Sequence, residues 1–158
     1  MIDHKMTVKR PKILAISSGG GHWVQLLRMR PAFGDCEVIY ATVSEDYRVD
    51  LELNSVLHVV PDSNRSSKID LLRSAFAIFC LLLRLRPDVV VTTGAAPGYF
   101  GASIGKLLGA RVAWVDSIAN AEELSLSGQK AGSFADLWLT QWPHLAREGG
   151  PHFYGSVL

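Results

Sequence analysis

KILAISSGGGHW, residues 12–23, joins an apolar run to two serines, three consecutive glycines and a histidine. KILAIS reads as a strand buried in a sheet, and residues 22 to about 30 as a helix stopped near Pro31. Glycine inside a helix or strand costs stability, so three in a row mark backbone that must turn sharply or come close to something. A glycine-rich turn into a helix N-terminus offers backbone N–H groups to a phosphate. A tight strand-to-helix turn that binds nothing has the same composition, and the loop alone leaves both readings open.

The same alternation continues outward. EVIYATV (37–43) and SVLHVV (55–60) read as strands, the second ended by Pro61, and residues 68–86 as a long helix closed ahead of Pro87. DVVVTT (88–93) is dense in β-branched residues, as a strand buried on both faces should be. GAAPG follows, then a helix over residues 99–108 ended by Gly109, and strands RVAWVD (111–116) and ADLWLTQ (135–141). Strands separated by helices predict an α/β, Rossmann-like parallel sheet with helices on both faces. Residues 12–158 form one domain in this reading, after a flexible polar and basic segment, 1–11. In such sheets ligands bind beyond the carboxyl ends of the strands. Three loops of unusual chemistry leave those ends: 17–22, 94–98 and 116–120, the last with Asp116 at a strand tip.

Composition narrows the classes. With 158 residues, 48% apolar and 20% charged, the chain is globular and of one-domain size. A formal net charge of +1 gives no electrostatic case for a nucleic-acid partner. Cys36 and Cys80 lack metal or redox spacing and read as reduced thiols. No metal ligand set and no cofactor motif is found. The apolar run after the basic N-terminus is too short for a signal peptide, and no segment reaches the length of about 20 apolar residues that spans a membrane. Positions 19–24 read GGGHWV, so the dinucleotide fingerprint G-x-G-x-x-G is absent, as are the P-loop and the nucleophile elbow.

His22 opens its helix, where a neutral imidazole can take a proton from an attacking hydroxyl; taken alone, the residue is better read as a histidine that caps or hydrogen-bonds the loop. The helix over 68–86, KIDLLRSAFAIFCLLLRLR, carries more apolar surface than one sheet-facing stripe needs. Leu72, Phe76, Phe79 and Leu83 are assigned to the sheet. Leu71, Ala75, Ile78 and Leu82 are then left outward, with Arg84 and Arg86 beside them. Such a face fits a peripheral membrane contact, burial against a partner chain, or a central helix buried on both sides; basic residues at both ends favour the membrane.

RPDVVVTTGAAPG, then VDSIANAEELSLSGQKAGSFADLWLTQWPHL, then YGSVL, in that order, resemble the acceptor-side, membrane-associated subunit of split glycosyltransferases. The relatives are the anchor subunit of the dolichol-pathway N-acetylglucosaminyltransferase and the PssD-type subunits of bacterial exopolysaccharide or capsule synthesis. A more distant likeness reaches the N-terminal half of MurG. The resemblance covers residues 12–158 and implies half of a GT-B enzyme, the half that takes the acceptor, with a nucleotide-sugar-binding partner subunit supplying the other. It implies that a lipid-diphosphate saccharide meets Ser18, Gly19, Gly20, Gly21, Gly94, Ala95, Ser117 and Asn120. His22 and Asp116 become the candidate catalytic pair of an inverting transfer from a UDP-sugar. Asp116 either orients a hydroxyl, holds His22 in its useful tautomer, or simply caps the next segment. The family usually carries Glu at that position. Eukaryotic members have an N-terminal spanning helix that this sequence lacks, so the expectation is peripheral attachment at the cytoplasmic face of the cell membrane. A non-catalytic recruitment subunit and a stand-alone Rossmann-like nucleotide-binding enzyme are the competing readings.

Overall fold

A computed structural model describes residues 9–63 and 67–157; residues 1–8 of the segment expected to be flexible lie outside them. Six strands form one parallel sheet in the order β3-β2-β1-β4-β5-β6. They are β1 (Lys12–Ile16), β2 (Glu37–Thr42), β3 (Val56–Val59), β4 (Val89–Thr92), β5 (Arg111–Val115) and β6 (Leu137–Leu139). The helices are α1 (Gly21–Arg28), α2 (Lys68–Leu85), α3 (Ala95–Leu107) and α4 (Leu126–Ala131). Each expected strand is present, shorter by one to four residues, because the ladder stops where the chain turns into its loop. The short α4 was not anticipated from the sequence.

Both sheet faces are buried, which is why the strands read as continuous apolar runs. On one face Leu14, Ile16, Ile39 and Val90 pack against Ile78, Leu81 and Leu82 of α2, with Ala102 of α3 against Val112 and Trp114 beside them. On the other, Ile13, Ala15, Tyr40 and Val91 pack against Trp23 and Leu26 of α1 and Phe33. The strand order reverses direction between β1 and β4, and their register sets Ile16 beside Thr92. The loops that leave these two neighbours open the crevice where open α/β sheets bind ligands.

Two expectations change here. Helix α3 begins at Ala95, four residues earlier than read, because Pro97 sits in its first turn, where its missing N–H is no loss. Gly98 is therefore not a loop residue. With Gly101 and Gly105 it lets α3 lie close on the sheet: a Cβ at these positions would collide with Thr92, Ile16 and Val90.

The second change concerns α2, whose buried and outward faces are the reverse of the expectation. Ile78 and Leu82, assigned outward, are 0% and 1% exposed, and Leu71 and Ala75 are half-buried. Leu72 and Phe76, assigned to the sheet, are 71% and 68% exposed, and Ile69, Phe79 and Leu83 are exposed with them. Arg84 and Arg86 are exposed as expected. The physical reason lies in the cations. At about 100° per residue, Lys68 and Arg86 fall on one side of the Leu72–Phe76 stripe and Arg73 and Arg84 on the other. Four charges that must reach water turn that stripe outward.

Candidate functional site

The first and second loops converge as the strand order requires. Gly20 precedes α1 with φ 63° and Gly94 precedes α3 with φ 112°, so both turns use the left-handed backbone that suits glycine. Ala95, at φ 61°, holds the same region without that freedom, a strained backbone at the mouth of the crevice. Neither helix has a side-chain N-cap, and neither carries an acidic residue in its first turn. Two adjacent helix N-termini thus present N–H groups and positive dipole ends without an internal anion.

His22 stands between them, half-buried. Its Nδ1 lies 2.8 Å from the carbonyl oxygen of Thr93, and the Thr93 hydroxyl donates to the His22 carbonyl at 2.7 Å. A carbonyl only accepts, so Nδ1 carries the proton and, in the neutral ring, Nε2 carries the lone pair. Gly94 passes close to this ring: a Cβ there would stand 3.4 Å from His22 Cε1.

Of the glycine loop, Gly19 is packed against Tyr47, whose hydroxyl accepts the Gly20 N–H at 2.8 Å. A Cβ at Gly19 would overlap the phenol, so one glycine serves packing, Gly20 serves the turn, and Gly21 opens α1 with free space around it. Ser18 donates to the Gly19 carbonyl at 3.4 Å. Tyr47 was missed in the sequence. It follows β2, and only the pairing of β2 with β1 brings it to the loop; strand order is not written in the local pattern.

The third loop is built differently from the expectation. Asp116 is buried and its carboxylate accepts four hydrogen bonds: from Trp114 Nε1 at 3.2 Å, Asn120 Nδ2 at 3.1 Å, Ser125 N at 3.0 Å and Ser125 Oγ at 2.7 Å. None comes from His22, whose ring is held by Thr93 instead. Ser125 Oγ in turn accepts the Gly128 N–H at 2.8 Å and caps α4. Gly128 must be glycine, because a Cβ would strike the Asp116 carboxylate. Asp116 therefore organises the loop 116–128. Ser117 is buried too, its hydroxyl accepting from Gln25 Nε2 at 3.4 Å and Ala119 N at 3.3 Å, and Asn120 is spent on Asp116. A signal for this arrangement was present: Ser125 stands just ahead of α4, at capping spacing from Gly128 in its first turn.

A parallel sheet of this order, with a histidine and two open helix N-termini at its switch point, defines a Rossmann-like domain of the kind that forms the N-terminal half of GT-B glycosyltransferases. Solved structures that share this fold include MurG of Acinetobacter baumannii (TM-score 0.70, 15% identity, 90% of this chain) and a UDP-N-acetylglucosamine 2-epimerase of Listeria monocytogenes (TM-score 0.65, 12% identity, 85% of this chain). The chain spans 47% and 39% of their lengths. The family model of the Alg14-like oligosaccharide biosynthesis proteins matches residues 52–157, and the chain belongs to that family. Similar curated proteins are the UDP-N-acetylglucosamine transferase subunits ALG14 of Mus musculus (25% identity, 85% of this chain, 76% of the relative) and Yarrowia lipolytica (28%, 94% and 81%). The matched segment begins after the glycine loop, so His22 joins it through the fold rather than through the family match.

Proposed function

We propose that this chain is the acceptor-side subunit of a two-component inverting glycosyltransferase. It transfers a sugar from a UDP-sugar to a lipid-diphosphate-linked saccharide, in exopolysaccharide or capsule synthesis, while a partner subunit holds the nucleotide sugar. The observation that carries this reading is His22, its tautomer set by Thr93, between two uncapped helix N-termini. The N-termini of α1 and α3 hold the acceptor diphosphate. His22 Nε2 takes the proton of the acceptor hydroxyl as its oxygen attacks the anomeric carbon. The bond from that carbon to the UDP oxygen breaks with its electron pair, and configuration inverts. Asp116 shapes the far wall through its loop.

Two surfaces support the subunit role. The outward stripe of α2, Leu72, Phe76, Phe79 and Leu83 between cations, suits peripheral binding to an anionic membrane. Among the described residues no helix is long and apolar enough to cross one. On the opposite sheet face, a groove of about 440 Å³ runs over Val91, Ala113, Val115 and Leu139 to the segment at Tyr154 and Val157. It is the seat proposed for the donor-side subunit. A recruitment subunit without chemistry would use the same two surfaces; the fixed imidazole favours chemistry.

The test is transfer of labelled sugar from UDP-N-acetylglucosamine to a lipid-diphosphate acceptor by this chain, by the donor-side subunit, and by both. Transfer by the pair alone is expected. Transfer by this chain without a partner contradicts the division of labour, and undiminished transfer by the partner alone contradicts any catalytic part for this chain.

A further inference from the structure

Gln25 and Gln141, absent from every expectation above, are 4% and 3% exposed. Gln141 Nε2 donates to Gln25 Oε1 at 3.1 Å and to the Asp116 carbonyl at 3.0 Å, and Gln141 Oε1 accepts the Val157 N–H at 2.9 Å. Gln25 Oε1 also accepts the Ile118 N–H at 3.4 Å, and its Nε2 reaches Ser117. The direction of this chain of bonds is fixed by its ends. A main-chain N–H only donates and a main-chain carbonyl only accepts, so Gln141 has one satisfied orientation. Flipping it would set donor against donor and acceptor against acceptor in a buried place, which is costly. Gln141 then fixes Gln25.

Gln25 lies three residues after His22, hence on the same side of α1 and one turn along. One turn further, Arg28 Nη1 donates to the Val157 carbonyl at 3.2 Å. Both backbone groups of Val157 are thus tied to α1, one directly and one through Gln141.

We propose that the Gln25–Gln141 amide pair is a positioning couple that makes the placement of the His22 helix depend on the seating of segment 154–157. That segment borders the groove proposed for the donor-side subunit, so docking there sets the imidazole as well as the interface. The consequence for turnover rests on the reading of His22 as the base; the mechanical coupling does not.

The experiment follows the His22 Cε1–H resonance in the isolated chain. Val157→Pro removes the N–H that Gln141 accepts, and Gln141→Met removes the amide at similar length. Each is expected to shift the resonance, and once Arg28→Met has removed the direct tie, the double variant shifts it no further than Gln141→Met does, because both paths are then cut. Arg28→Met, at the exposed end, serves if the buried variant does not fold. In the assembled enzyme Val157→Pro is expected to lower kcat about ten- to a hundredfold, as small misplacements of a reacting group do, with KM for the UDP-sugar unchanged. A resonance unmoved by Val157→Pro, or shifts that add in the double variant, overturns the coupling, and an unchanged kcat beside a shifted resonance overturns its consequence for turnover. Full turnover in His22→Ala overturns the proposed function and leaves the resonance result to stand by itself.

Discussion

Tyr47 is the residue on which the shape of the glycine loop turns. It touches Trp23 with ring centroids 5.4 Å apart and anchors Gly20 through its hydroxyl. Tyr47→Phe is expected to lower stability by about 1 kcal/mol, one hydrogen bond's net worth, and Gly19→Ala by more, since the new methyl must displace the phenol. Urea melts of the two variants check the order; equal stability would show that the loop does not lean on Tyr47. Asp116 makes a second case. Its four internal donors predict that Asp116→Asn lowers the unfolding free energy by about 2 kcal/mol, the range for bonds to a charged acceptor, with turnover per folded molecule retained. Normal stability with collapsed turnover would put the carboxylate back into the chemistry. The sequence made Asp116 visible as a carboxylate at a strand tip. It could not say that Asn120 and Ser125 would consume it, because that depends on how the loop folds back.

Helix α2 shows how an element can be legible in extent and illegible in orientation. Its length and closure followed from Pro87, while two apolar faces left the buried side undecided by periodicity. The cations at both ends held the answer. Leu72→Glu with Phe76→Glu is expected to abolish sedimentation with anionic vesicles and leave the melting temperature close to that of the parent chain. Ile78→Glu, by contrast, buries a charge against the sheet and should unfold it. Vesicle binding by the outward double variant would remove α2 from the membrane contact. A pH effect belongs to this scale as well. The Lys106 ammonium on α3 and then the Val112 N–H on β5 hydrogen-bond Asp136 and hold its carboxyl below the ordinary carboxylate range. A depressed folded pKa stabilises above the unfolded value of about 4 and is lost as pH falls through the folded one. Asp136→Asn should therefore lower the urea midpoint at pH 7 and narrow the difference between pH 7 and pH 3. An unchanged difference would mean the pair contributes nothing, as exposed pairs often do.

At the scale of the whole molecule, the sequence was enough to place the first two loops at carboxyl strand ends, because parallel topology requires it. That they are neighbours comes from the pairing of β1 with β4, a long-range choice made by the packing of α1, α2 and α3 rather than by any local signal. Gly101 and Gly105 already lay within the expected helix, and Gly98 joined their stripe only once α3 was known to start at Ala95. What the assembled geometry supplies is an imidazole with Nδ1 held by the Thr93 carbonyl and, in the neutral ring, its lone pair on Nε2, between two helix N-termini without side-chain caps. The most direct measurement is turnover of the reconstituted pair with His22→Ala, alongside its affinity for the donor-side subunit and for vesicles. A fall in kcat of about 10²- to 10⁴-fold, the usual contribution of a general base, with both affinities unchanged, is the expected result. Turnover equal to that of the parent pair would contradict His22 as the base and leave this chain a recruitment subunit.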